Sequence, residues 1–490
     1  MLTHEPCKGS LQRPSIVLRL FLLAALFLSF AILPGCKTME GVGQQGREMK
    51  RDAAFHKVEE GGWITVFLNL KESAGPEVSM QVTGVEIKTG NSWKTLSSSP
   101  MTIDSAKVGA GQIFIARNGV LPGYYDSLRF IIQSEAVLNG SRQIPLATSR
   151  VEMELPSGFN LAKGDSHSLF VTWDVEQSVS DPQGFAAGLH ADLQSIPLLS
   201  DLLFIACPEL DTVYVVRTDK NWVISSIGVT GRPTYVDIDL RRDRLYVLAS
   251  EDYSIKVIDL TAYKLIDRYS IQMDYAPVFM TIDPDKLYAY VLDQGGKGIV
   301  KVDLSNGAIA NQVKLNFRPR YSTYMLEKRN LAVSTAETNY VYLLNPDNLF
   351  TVGSFPVGDR PEGLLEFRDV LLVAESGSNS VSSYGINDRS QRATVNVGFS
   401  PMRLFLKSNQ LYATSIEDGT VTVMFPGQLN ISREIFIGGT PLEISGSKNN
   451  RWLYVGNEAK EGLVVIDATS NRRTSFIDLG TSPLGMAVID

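Results

Sequence analysis

Histidine is nearly missing from this chain. It has four, His4, His56, His167 and His190, and none lies beyond residue 190. Residues 201–490 therefore offer no imidazole to ligate haem, copper or zinc, and none to serve as a general base. His167 and His190 stand alone on expected strands or turns, where a structural or solvent-facing role is the expectation. Tryptophan is scarce too, with only Trp222 and Trp452 beyond residue 200. No P-loop, no dinucleotide fingerprint behind a strand and no serine elbow is present. The formal charge of −7 is mild, and a grip on nucleic acid needs clustered basic residues. No catalytic residue, metal site or cofactor is expected.

What the chain does have is a period. Pro233, Pro277, Pro319, Pro361, Pro401, Pro441 and Pro483 are spaced by 44, 42, 42, 40, 40 and 42 residues. About a dozen residues after each of the first six prolines comes an apolar phrase, such as Leu245-Tyr246-Val247 or Leu453-Tyr454-Val455. A third strand then closes on an aspartate at Asp259, Asp303 and Asp467, expected to accept hydrogen bonds from turn backbone. Four short β-segments in about forty residues mark a propeller blade. Glycine before the proline, as in Gly358-Asp359-Arg360-Pro361, suits a chain reversal that needs positive φ. Asp274-Tyr275-Ala276-Pro277 and Asn316-Phe317-Arg318-Pro319 lack that glycine.

The ends of the array complement each other. Segments 202–206, 212–217 and 222–227 read as strands two to four of a unit without a first strand. Segment 483–489 reads as a first strand with nothing after it. Together they make one unit, so the expectation is seven blades closed by the C-terminal strand, which leaves no bare edge at the gap.

The phrase Leu371-Leu372-Val373-Ala374-Glu375-Ser376-Gly377-Ser378-Asn379-Ser380-Val381 resembles the YVTN-type β-propeller repeat of bacterial and archaeal secreted and surface proteins. The resemblance covers about 201–490. It implies the fold and leaves the function open, because that family includes surface-layer and periplasmic binding proteins. Between Trp63 and residue 198 the pattern changes to alternating strands without the period. Expected strands are 64–70, 79–88, 112–116, 127–133, 150–154, 168–175 and 189–196, an antiparallel β-sandwich. Leu121-Pro122-Gly123-Tyr124-Tyr125-Asp126-Ser127-Leu128-Arg129-Phe130 resembles a prealbumin- or immunoglobulin-like domain found in bacterial lipoproteins. It implies no activity.

At the N-terminus, Arg13 and Arg19 precede the apolar run 20–33, followed by Pro34-Gly35-Cys36. This resembles a bacterial lipoprotein signal, with Cys36 as the lipidated residue, although Pro34 departs from the usual pattern. The alternative is an uncleaved membrane anchor over 16–33. The expected order is therefore a signal over 1–36, a flexible tether over 37–62, a β-sandwich over 63–198 and the propeller over 199–490. A short helix over 47–58 is the alternative to a featureless tether. Of the three cysteines, Cys7 leaves with the signal and Cys36 carries lipid. Cys207 remains, an expected small buried hydrophobe at a strand end.

Two sets of charged residues invite a site. Carboxylates crowd the turns between second and third strands: Glu209, Asp211, Glu251, Asp252, Asp293, Glu337, Glu375, Glu417, Asp418, Glu458 and Glu461. They are expected to be solvated turn residues, with a hard cation or a basic partner as the functional alternative. Arginines crowd the blade-opening prolines: Arg232, Arg318 and Arg360 just before, Arg320 and Arg403 just after. These five are the candidate site, a channel mouth that takes a small anion through guanidinium pairs. The competing reading pairs each with a neighbouring acid such as Asp359, Glu362 or Glu443.

The all-β chain is thus expected to be a lipid-anchored protein of the cell envelope, outside the cytoplasm. It binds or scaffolds an envelope protein or a small anionic ligand. A lactonase-like hydrolase is the first alternative, and a purely structural envelope protein the second.

Overall fold

The computed structural model describes residues 59–71, 75–179, 184–194, 199–335 and 337–489. Cys7, Cys36, the signal and the tether up to residue 58 lie outside the described residues, as does the alternative helix. The chain is a β-propeller preceded by two further sheets.

Seven four-stranded antiparallel sheets follow residue 200. Sheet one joins Leu202–Cys207, Thr212–Arg217 and Trp222–Gly228 to the C-terminal Met486–Val488. Sheets two to seven are simple meanders whose first strands are Pro233–Asp239, Phe279–Ile282, Pro319–Met325, Pro361–Phe367, Pro401–Lys407 and Pro441–Gly446. These first strands lie beside one another in succession, and Met486–Val488 neighbours both the first and the last of them. They are the inner strands of a ring. The closing ladder is short: Leu203, Phe204 and Ile205 pair with Val488, Ala487 and Met486.

The burial pattern explains why the second strands read as unbroken apolar runs. Val370–Glu375 is buried along nearly its whole length, whereas the outermost Gln391–Asn396 is largely exposed. Middle strands have a sheet on each side, so both faces must be apolar. Leu245 and Val247 pack toward sheet one, while Tyr246 and Leu248 pack toward sheet three. The strand-ending aspartates act as expected: Asp259 accepts from the backbone of Thr261 and Ala262, both at 2.9 Å. Those bonds hold its carboxyl below the ordinary value. Cys207 is a free, fully buried thiol, pushed up by burial.

Two expectations about the turns need correction. The expected positive φ is found at Gly231 (φ 86°), Gly438 (φ 66°) and Gly480 (φ 61°) but not at Gly358 or Gly398, where the left-handed residue is instead the one before the proline, Arg360 (φ 50°) and Ser400 (φ 53°). Gly358 is needed for space, because a Cβ there would stand 2.4 Å from the Glu375 carboxyl carbon. And sheet three does not begin at Pro277. Its inner strand is only Phe279–Ile282; the loop before it runs longer, and in it Tyr275 packs against Gly295.

Before residue 200, one sheet orders Gly188–Leu193, Ser166–Asp174, Gly62–Leu70 and Gln112–Val120, with Gly62–Leu70 parallel to Ser166–Asp174. The other carries Val78–Thr89 and the long Gly123–Leu138 at its centre. One core that includes Ile64, Val66, Ile87, Leu128, Phe130 and Trp173 fills the space between them. Ser92–Ser97, Met101–Asp104 and Arg142–Pro145 are strands that the sequence did not announce. They are short, mostly polar and at the sheet margin, where no alternation is imposed.

Candidate functional site

In a four-stranded meander, the turns between second and third strands share a ring face with the crossings from one sheet to the next. Both charged sets therefore lie on one face, as their sequence positions require. The structure does not gather the five arginines around one vacant mouth. It places them at two levels, each beside a carboxylate.

On the outer level, the Arg232 guanidinium lies 3.7 Å from Glu251 and Arg318 lies 3.0 Å from Glu337. Arg360 lies 3.8 Å from the adjacent Asp359. All three are substantially exposed, so such pairs contribute about 0–1 kcal/mol each. On the inner level, Arg320 is mostly buried and pairs with Glu362 of the next inner strand at 2.7 Å. Arg403 pairs with Glu443 of the next inner strand at 3.3 Å. Charge thus alternates over four successive inner strands: Arg320, Glu362, Arg403, Glu443.

The residue two places after each opening proline defines a layer that the sequence did not reveal as a unit. In ring order it is Tyr235, Phe279, Tyr321, Gly363, Arg403, Glu443 and Gly485. Tyr235 and Phe279 have ring centroids 4.6 Å apart, and Phe279 and Tyr321 4.2 Å. The Arg403 guanidinium lies 4.6 Å from the Tyr321 centroid and 5.9 Å from that of Phe279. Sheet six and sheet three are not neighbours, so this contact crosses the axis. Side chains fill the channel at this level. Glycine at position 363 lets the adjacent inner strand close in, since a Cβ there would stand 2.6 Å from the Met402 carbonyl oxygen. Burial holds the Tyr235 and Tyr321 hydroxyls well above their ordinary value, and the Glu443 carboxylate adds to it.

The acidic turns also have structural work. Asp211 accepts from the backbone of Arg232 at 2.9 Å, Asp293 from Tyr275 at 3.3 Å, and Asp418 from Phe399 at 3.0 Å. Glu375 is almost fully buried and accepts from Gly358 and Tyr384 on one oxygen, and from Ser380 and Ser382 on the other. These carboxylates brace the crossing loop beside them. Others stay solvated, Glu461 among them. Among the described residues no group of three or more His, Cys, Asp or Glu is arranged to hold a metal ion.

One feature of this face had no signal in the period. Phe399 is 58% exposed and Phe436 73%. Phe399 lies in the crossing into sheet six, and Phe436 ends the outer strand of that sheet. They flank the turn 416–419, which carries Glu417 and Asp418.

Fold and site together define a β-propeller with a filled centre and a decorated loop face. No protein-family model matches the chain, and no curated protein matches it. Solved structures share the fold. One is a functionally unknown protein of Desulfotomaculum acetoxidans, with 14% identity over 59% of this chain and 98% of that one, at a TM-score of 0.53. Another is a 6-phosphogluconolactonase-like protein of Bacteroides fragilis, with 12% identity over 60% and 99%, at 0.51. A protein of Lactobacillus plantarum gives 13% over 58% and 98%, at 0.51. At these identities the likeness shows the fold alone.

Proposed function

We propose that this is a non-catalytic binding protein of the cell envelope, anchored by lipid at Cys36. Its seven four-stranded sheets are seven blades, and its N-terminal pair of sheets is a β-sandwich. The loop face engages another protein. Phe399 and Phe436, exposed beside an acidic turn, carry this reading. Large aromatic side chains left in water at one place mark a surface that a partner covers. Acidic residues outnumber basic ones on the same turns, so the partner's surface is basic.

The geometry favours the protein over the small anion. The guanidiniums that would hold an anion already face carboxylates, and the Arg403 guanidinium reaches across the axis to Tyr321. The hydrolase reading has only the fold likeness behind it.

Crosslinked pull-down from native membranes tests this, with Phe399→Ser plus Phe436→Ser against a rim control, Leu265→Ser. A partner captured by the wild type and the control but lost in the double variant is the expected result. Equal capture by all three overturns the face. Stabilisation by citrate or inorganic phosphate that disappears in Arg318→Ser plus Arg360→Ser would restore the anion site instead.

A further inference from the structure

The two N-terminal sheets meet the ring at one place, and that place is its seam. Strand Gly62–Leu70 is buried on both sides. Ile64, Val66 and Leu68 face the core between the N-terminal sheets. Trp63 and Phe67 face the ring, in a cluster with Leu203, Ile205 and Tyr214 of sheet one, Leu463 and Val465 of sheet seven, and Met486 of the closing strand. The Phe67 ring lies 6.2 Å from Phe114, 6.0 Å from Phe170 and 5.9 Å from Tyr214, centroid to centroid.

Directed hydrogen bonds fix this packing. The Gln112 side chain donates to the Val223 carbonyl at 3.1 Å and accepts from the Val223 N–H at 3.0 Å. Gln194 Oε1 accepts from the backbone of Ser168 and of Ser226, at 3.0 and 3.1 Å. Ser168 Oγ donates to Ser226 Oγ at 3.0 Å, and Thr65 lies 3.1 Å from the Tyr214 hydroxyl. On the far side of the seam, Asp478 of sheet seven accepts from Gly480 at 3.0 Å and from the backbone of Phe114.

We infer that the N-terminal sheets are the clasp of the ring: their docking and the closure of sheet one on sheet seven are a single cooperative event. The closing segment pairs three residues in register, with backbone bonds continuing from Ile489 to Leu202 and between Ala206 and Leu484–Gly485, still a short ladder for the one joint that chain connectivity does not secure. A body that touches sheets one and seven at once supplies what the ladder lacks. Whatever binds or pulls the N-terminal sheets then acts on the seam, while sheets three to five stay closed.

Hydrogen exchange on the full chain tests this. The perturbations are Gln112→Ala, which removes two directed bonds, and the milder Phe67→Leu. Phe317→Ala is the control; it strips a buried ring stacked 3.9 Å from Tyr342 in sheet four, away from the seam. Exchange at Leu203–Ile205, Met486–Val488 and Leu463–Val465 should rise about tenfold or more in the first two variants, with sheets three to five unchanged. The control should not open the seam selectively. Faster exchange confined to the N-terminal sheets, or raised equally in every sheet, overturns the clasp. Phe67→Leu keeps most of the apolar volume, so the test survives if Gln112→Ala fails to fold.

Discussion

Glu375→Ala should destabilise the protein by about 3–5 kcal/mol. The side chain has only a few per cent of its surface in water, and its two oxygens accept four hydrogen bonds. Gly358 N–H and the Tyr384 hydroxyl reach one oxygen at 2.8 Å each; Ser380 and Ser382 reach the other at 2.7 Å each. Alanine removes the acceptor from all four. Ser382 keeps Thr394 Oγ1 at 2.9 Å, so three donors lose the acceptor they have. A buried donor left unpaired costs roughly 1–3 kcal/mol, and the vacated volume adds a cavity term. Partial rearrangement brings the total to the stated range. Glu375→Gln should cost about half as much, because the amide keeps one accepting oxygen but turns an NH2 toward donors. Urea unfolding followed by tryptophan fluorescence gives the midpoint for each variant. The loop before Pro361 should become more protease-sensitive in the alanine form. If Glu375→Ala unfolds within about 1 kcal/mol of the wild type, the carboxylate is an ordinary solvated turn residue and the brace is wrong.

Three further outcomes are expected, two from the structure and the last, at Cys36, from the sequence alone. Deleting residues 483–490 removes the partner of Leu203–Ile205 and the buried Met486 and Ile489; the expected loss is roughly 5 kcal/mol, or ~5 °C in Tm for a chain of this length, and a melt within about one degree of the full chain refutes ring closure by this strand. Asp478 faces Arg117 and Glu461, and burial raises its carboxyl from 3.8 to about 6. The folded state therefore holds that proton more tightly than the unfolded state does. Stability is full below about pH 4 and falls by up to about 2–3 kcal/mol as pH rises through about 6; a stability–pH slope in this window that Asp478→Asn leaves unchanged excludes the group. Cys36→Ser should block processing and shift the protein out of the membrane fraction, and an unmodified mature chain beginning at Met1 in mass spectrometry excludes the lipid anchor.

What the sequence made legible was whatever repeats. Prolines at a near-constant interval, middle strands apolar on both faces and a C-terminal segment that completes the first unit all follow from local rules and appear in the structure, although the closing strand is Met486–Val488 and not the whole of 483–489. Sheet three shows where local rules stop: Pro277 keeps the interval, yet the strand starts at Phe279, after a longer loop in which Tyr275 packs against Gly295. Glycine divides for a related reason: Gly231, Gly438 and Gly480 take the expected positive φ, and Gly358 serves by leaving space. Positive φ is a backbone property that a sequence suggests, whereas the clash of a Cβ with Glu375 depends on a residue 17 positions away.

The candidate site was legible only in part, because its meaning depends on how the units differ. The arginines were found by position, and their carboxylate partners Asp359, Glu362 and Glu443 were in view as one alternative. Choosing between an open mouth and a paired one needs the side-chain directions. Position two after the proline shows the problem most clearly: Tyr235, Phe279, Tyr321, Gly363, Arg403, Glu443 and Gly485 have no residue type common to all seven. A search for conserved repeat chemistry passes over them, since a motif is what units have in common. At the axis, however, seven copies of one side chain could not pack: seven aromatics would collide and seven charges of one sign would repel. Three rings, one ion pair and two glycines solve that packing problem only because they differ. Non-equivalence is thus what a filled ring centre demands. It is also the property that sets exposed Phe399 and Phe436 together on sheet six, so on this ring a search for function belongs where the units depart from their repeat.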